Sequence, residues 1–181
     1  SPPSMHIPAK QVHLDFHTSE LIEGIGSDFS RENFQSALKL ARLDSITVFG
    51  KCHHGWCYYP SAAGQMHPHL DFDLMGAQIE AAHEIGVRAP IYLPVGWSAL
   101  DAREHPEWVA RKRDGTPQAT GGAAREDAAP GEPRPPVSWL CLYSHPAYVE
   151  YLLELTRELC RAYPVDGLFY DIVFNPASVD F

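Results

Sequence analysis

The spacing of hydrophobic and polar positions changes period several times along the chain. Val12-His13-Leu14-Asp15-Phe16-His17 alternates apolar and polar residues, as a strand with one face on a core does. Phe34, Ala37, Leu38 and Ala41 then recur at helical spacing and predict a helix over about 31–43, with Ser30 as its N-cap. Ser45-Ile46-Thr47-Val48-Phe49 is a short apolar run that reads as a buried strand. Leu74, Ala77, Ile79, Ala81, Ala82 and Ile85 predict a second helix over about 73–85, stopped by Gly86. A third strand covers about 88–95, where Pro90 and Pro94 lack N–H donors and should make it irregular. A long helix over about 146–163, opened by Pro146, carries Val149, Leu152, Leu153, Leu155, Leu159 and Cys160 on one stripe. The fourth strand is Gly167 to Phe174. Thr116 to Pro136, rich in Gly, Ala, Pro and charge, reads as a flexible surface loop.

Strands alternating with helices imply a parallel sheet with right-handed crossovers. An open doubly wound sheet and the first half of a (β/α)8 barrel both fit. The nucleotide-binding form of the open sheet carries a glycine-rich turn after its first strand. Here that position is His17-Thr18-Ser19-Glu20, and the later Glu23-Gly24-Ile25-Gly26-Ser27 lacks the third glycine. The 181 residues suit one domain, read as a partial barrel over 1–181 because a complete one takes about 250 residues. A half-barrel would leave open sheet edges, so self-association or docking of a barrel remainder is expected.

Charge narrows the partners. A net charge of -9 argues against nucleic acid, which requires clustered Lys and Arg. No apolar run approaches the roughly 20 residues of a membrane helix. The start, Ser1-Pro2-Pro3-Ser4-Met5, shows no signal-peptide pattern. Cys52, Cys57, Cys141 and Cys160 are too sparse for a disulfide framework, so reduced thiols and a cytoplasmic location are expected.

The candidate chemistry lies at strand ends, the ligand face of α/β barrels. His17 follows the first strand, with Asp15 inside it. Lys51, His53 and His54 follow the second, Trp97 follows the third, and Asp171 sits in the apolar fourth. A carboxylate among Leu168-Phe169-Tyr170 and Ile172-Val173-Phe174 is costly unless paired or used. Lys51-Cys52-His53-His54-Gly55-Trp56-Cys57-Tyr58-Tyr59 combines a histidine pair with aromatic rings, which suits a hydroxyl-rich ligand. Trp56 is the candidate platform for a sugar ring. Zinc could take Cys and His ligands, but Cys52-x4-Cys57 followed by His67-x-His69 is not the usual spacing. No metal or cofactor is expected. A non-catalytic carbohydrate-binding protein and, less well supported, a metal-dependent hydrolase are the alternatives.

Lys51 to Ser61 resembles the lysine, histidine-pair and aromatic segment of family 29 α-L-fucosidases. It is more similar still to the related group called hypothetical glycosyl hydrolase 6. Val12 to Thr18, His67 to Leu70, Ile91 to Trp97, His105 to Trp108 and Val165 to Val173 extend the resemblance over about residues 10–175. It implies a (β/α)8 barrel and a retaining, fucosidase-like glycosidase site for a terminal sugar. It places sugar-hydroxyl contacts on His17, His53 and His54, and the nucleophile on Asp171. A retaining site also needs an acid/base carboxyl. Glu20, Asp71, Asp101, Glu104 and Glu107 are loop candidates, and none stands out. In the related enzymes that group lies beyond the fourth strand.

Overall fold

The computed structural model describes residues 8–118 and 145–173. Strands β1 (Gln11–His13), β2 (Ser45–Phe49), β3 (Ile91–Pro94) and β4 (Leu168–Asp171) alternate with helices α1 (Arg31–Ala41), α2 (Leu74–Glu84), α3 (Ala99–Glu104) and α4 (Pro146–Ala162). A 3-10 turn, Pro106–Trp108, follows α3. All neighbouring strands pair in parallel, in the order β1-β2-β3-β4. A doubly wound sheet reverses its order at a switch point. Sequential order without reversal is that of a barrel, and the fold is the N-terminal half of one.

The two faces of the sheet differ. Phe49, Tyr92 and Phe169 are register neighbours on β2, β3 and β4. Their rings form a ladder, Phe49 on Tyr92 at 4.0 Å and Tyr92 on Phe169 at 5.8 Å between centroids. His13 of β1 extends it, 5.5 Å from Phe49. This is the barrel-interior face. On the other face Tyr170 meets Thr156 of α4 at 2.8 Å. There Val48, Ile91 and Leu93 join Ile79, Leu155 and Leu159 in the main core. The central strands β2 and β3 are buried throughout, whereas β1 is exposed and β4 half-exposed.

Several boundaries depart from those predicted. β1 stops at His13, so Asp15 lies beyond the strand rather than within it, and His17 follows in the same segment. The Phe16 carbonyl accepts from the Tyr58 hydroxyl at 3.0 Å, which takes the place of a sheet partner. β3 begins only at Ile91, after Pro90, and Arg88 pairs with Ser45 as a lone bridge. β4 ends at Asp171, because Ile172 takes a left-handed φ of 55°. Ser30 caps α1 through the Asn33 N–H at 3.2 Å, as its sequence suggests. Helix α3 was not foreseen. It is one and a half turns long, too short for a periodic pattern, and its Ser98 cap accepts from Asp101 N at 3.3 Å. Thr116 belongs to a turn closed by Lys112 N and Thr116 O at 2.9 Å, and Gln118 beyond it is buried. The rest of the predicted surface loop lies outside the described residues, as does Cys141.

Candidate active site

The C-terminal ends of the strands bring His17, His53, Trp97 and Asp171 together around Tyr92. Asp171 shares the interior face with Phe169 two residues earlier, so its carboxylate points into the barrel. Its Oδ2 accepts from the Tyr92 hydroxyl at 2.6 Å and its Oδ1 from Ile172 N at 2.9 Å. Because that hydroxyl donates to Asp171, the His53 Nε2 at 2.7 Å from it acts as donor. The His53 ring stacks on His17 at 4.1 Å and meets Trp97 edge-on at 5.0 Å. Its backbone N–H donates to His17 Nδ1 at 3.1 Å, which leaves the His17 proton on Nε2, 2.8 Å from Asp15 Oδ1. A chain of oriented hydrogen bonds therefore runs from Asp15 through His17 and His53 to Tyr92 and Asp171.

Burial sets the charge state of this wall. It pushes the His53 imidazole down to about 4, with repulsion from His17 adding to the effect. Burial likewise lowers His17 and His54. At neutral pH the histidines are uncharged, each with one donor and one acceptor nitrogen, and both nitrogens of His17 and the donor of His53 are engaged within the wall. The Tyr92 hydroxyl is pushed up by burial and by the Asp171 carboxylate, so it stays protonated and donates. The indole N–H of Trp97 is buried and meets no hydrogen-bond partner among the described residues.

The histidine loop has one seat. Ala99 N donates to the His53 carbonyl and Leu100 N to the His54 carbonyl, each at 3.0 Å. Next in the loop Gly55, at φ 98°, lies so close to α3 that a Cβ there would stand 2.5 Å from the Leu100 Cβ. Gly96 serves the neighbouring loop: a Cβ would stand 2.4 Å from the Ile172 carbonyl oxygen.

Trp56 belongs to a second group. Its indole donates to Glu20 at 3.3 Å, its ring lies 6.1 Å from His67, and it packs against the main core. Tyr58 and Tyr59 are fully buried packing residues. Of the loop carboxyls, Glu20, Asp101, Glu104 and Glu107 are engaged by neighbours. Burial alone would raise Glu20, but its own backbone N–H, Trp56 and Arg103 together lower it, so it is a poor proton donor. Asp101 pairs with Lys51, Glu104 accepts from Gln65 at 2.6 Å, and Glu107 faces His105 at 3.3 Å. Asp71 is exposed in a surface cleft with Glu23 and His69. The cysteines point elsewhere. Cys52 Sγ lies 3.7 Å from the Thr18 carbonyl, and burial drives the Cys57 thiol up to about 12. Among the described residues no three His, Cys, Asp or Glu side chains stand where they could hold a metal ion.

Sequence reasoning missed Tyr92. Its signal was parity: a polar-tipped ring in line with Phe49 and Phe169, just below the strand ends.

Fold and site together define half of a barrel whose strand ends carry a wall of uncharged histidine, tyrosine and tryptophan rings held between Asp15 and Asp171. Residues 30–172 match the family model described as hypothetical glycosyl hydrolase 6, and the chain belongs to that family. Among solved structures it is similar to alpha-L-fucosidase isoenzyme 2 from Paenibacillus thiaminolyticus, with 45% identity and a TM-score of 0.82. That match covers 93% of this chain and 24% of the fucosidase, so the chain spans about a quarter of its relative's length. A hypothetical protein from Ruminiclostridium thermocellum shares the fold at 14% identity and a TM-score of 0.65, over 96% of this chain and 81% of that one. So does a maltogenic alpha-amylase from Thermotoga neapolitana, at 16% identity and 0.56, over 91% and 39%. No curated protein matches the chain. No helix among the described residues is long and apolar enough to cross a membrane.

Proposed function

We propose that the chain carries the nucleophile-bearing half of a retaining, fucosidase-like glycoside hydrolase site for the terminal sugar of an oligosaccharide or glycoconjugate. The observation that carries this reading is the Asp171 carboxylate, aimed into the barrel and held by the Tyr92 hydroxyl at 2.6 Å. Two donors on its oxygens orient it while leaving it half-exposed to a ligand. In this mechanism an Asp171 oxygen bonds to the anomeric carbon as the glycosidic oxygen leaves with a proton. The acid/base carboxyl supplies that proton, then takes one from a water that attacks the anomeric carbon on the face the leaving group vacated, opposite Asp171, and releases the Asp171 carboxylate. His53, His54 and Trp97 line the sugar, and His17 stacks behind His53 and holds its backbone. The second carboxyl must stand about 5–5.5 Å from the first. Glu20, Asp101, Glu104 and Glu107 are held by other partners and Asp71 lies in a separate surface cleft, and the resemblance assigns the acid/base beyond β4.

The longer fucosidase relative supports completion of the barrel by further strands at the open edges of β1 and β4. The cytoplasmic reading rests on the free thiols of Cys52, Cys57 and Cys160.

The test is Asp171→Asn in the full natural protein, on a panel of aryl glycosides. Turnover should fall about 10³-fold or more while sugar binding persists. A 2-fluoro glycoside should label Asp171, read by peptide mass. Turnover that survives the substitution, or a label on another carboxyl, removes Asp171 as nucleophile. Sugar binding without turnover in the native protein would favour the non-catalytic alternative.

A further inference from the structure

Two residues before His53, Lys51 is wholly buried and takes no part in the chemistry above. Its ammonium donates to Asp101 Oδ2 and, at 3.1 Å, to the Tyr151 hydroxyl. It also lies 4.8 Å from the centre of the Tyr151 ring. The Asp101 side chain is itself 7% exposed. Burial alone would lower the ammonium's pKa, but Asp101 and the surrounding groups raise it well above the usual lysine value, so the pair is ionic.

An ion pair is a costly way to fill a core, because apolar side chains of similar volume usually hold a fold as well. What it adds is direction. This one joins three segments: the exit of β2, helix α3 and helix α4. Helix α3 in turn grips the carbonyls of His53 and His54, and Gly55 allows the loop no second seat against it. Any slide of α3 along the exit of β2 therefore carries His53 with it. The His53–Tyr92–Asp171 bonds, at 2.7 and 2.6 Å, tolerate such a slide poorly.

We propose that the Lys51–Asp101 pair, with Tyr151, is a positioning device that sets His53 against Tyr92 and Asp171. It touches no substrate and acts through the histidine loop. Its effect on turnover rests on the reading of Asp171 given above, whereas its effect on His53 does not.

The decisive variant is Lys51→Met/Asp101→Leu in the full natural protein, which replaces the pair by apolar groups. The thermal midpoint should stay near the native value. The His53 imidazole, followed by NMR against pH, should titrate higher than its native value of about 4 as the ring loosens. On an aryl glycoside kcat should fall about tenfold with KM within about twofold. A shifted His53 titration in a protein that turns over no glycoside would sink the hydrolase reading and leave this one standing. Native midpoint with native His53 titration would reduce the pair to core packing. Should the double variant not fold, Tyr151→Phe decides, since it removes one hydroxyl. The same upward shift, smaller, supports the device, and an unchanged His53 titration overturns it.

Discussion

Lys51 and His53 leave the same loop two residues apart and enter opposite surroundings. Lys51 ends in a closed cluster, its charge met by Asp101, Tyr151 and a ring face, with no surface left for water. His53 ends in an open one, where neutral rings and a half-exposed carboxylate face the barrel interior. Both are polar groups buried at a strand end, and burial alone does not tell them apart. Saturation does. A cluster with every charge answered holds structure, whereas one that keeps a carboxylate within reach of a ligand has something left to bind.

Breaking the closed cluster on one side should give the largest effect. Lys51→Met strands the Asp101 carboxylate and should cost about 3–5 kcal/mol of stability in chemical denaturation. A loss below about 1 kcal/mol would mean that Asp101 finds water, and the cluster would not be closed. Acid should reach the open cluster next. His53 has a folded value of about 4, below the ordinary 6.5, so the unfolded chain binds the extra proton. Its contribution is fully present above about pH 6.5 and is lost as pH falls toward 4, by roughly 3 kcal/mol at most. Urea midpoints across that window should fall with pH, and His53→Gln should flatten the slope. A smaller effect is expected of Tyr92→Phe, which removes the bridge between His53 and Asp171. Turnover should fall about tenfold, with stability changed by about 1 kcal/mol. An unchanged rate would leave Tyr92 as a packing ring. The smallest effect is expected from Trp56→Phe, which loses the bond to Glu20 and keeps a ring. It should cost about 1 kcal/mol in thermal denaturation and leave KM within about twofold. A large rise in KM would move Trp56 from the core to the sugar.

Much of the frame was legible beforehand. β2 stands where its apolar run placed it, and α1, α2 and α4 begin and end within two residues of their predicted bounds. These elements bury a continuous apolar face, so local pattern and tertiary packing agree. Agreement failed where neighbours decided the outcome. The alternation over 12–17 continues past His13, but Phe16 finds Tyr58 instead of a strand, so Asp15 and His17 leave the sheet. The exposed edge strand had too few partners to enforce its pattern. Helix α3 escaped notice because its anchors are remote: the carbonyls of His53 and His54 and the ammonium of Lys51.

The amino-acid sequence by itself determined the alternation of strands and helices, the placing of polar residues at strand ends, and the resemblance to a glycosidase family. These depend on residue type and on spacing within one segment. The order of the sheet, the partners of each carboxylate and the union of His17, His53, Tyr92 and Asp171 were decided only in three dimensions. They depend on side chains up to 154 residues apart along the chain, His17 to Asp171, meeting across parallel strands. The same holds for the division between Lys51 and His53. Their local sequence is shared, and only the groups that fold against each one assign the first to the frame and the second to the proposed site.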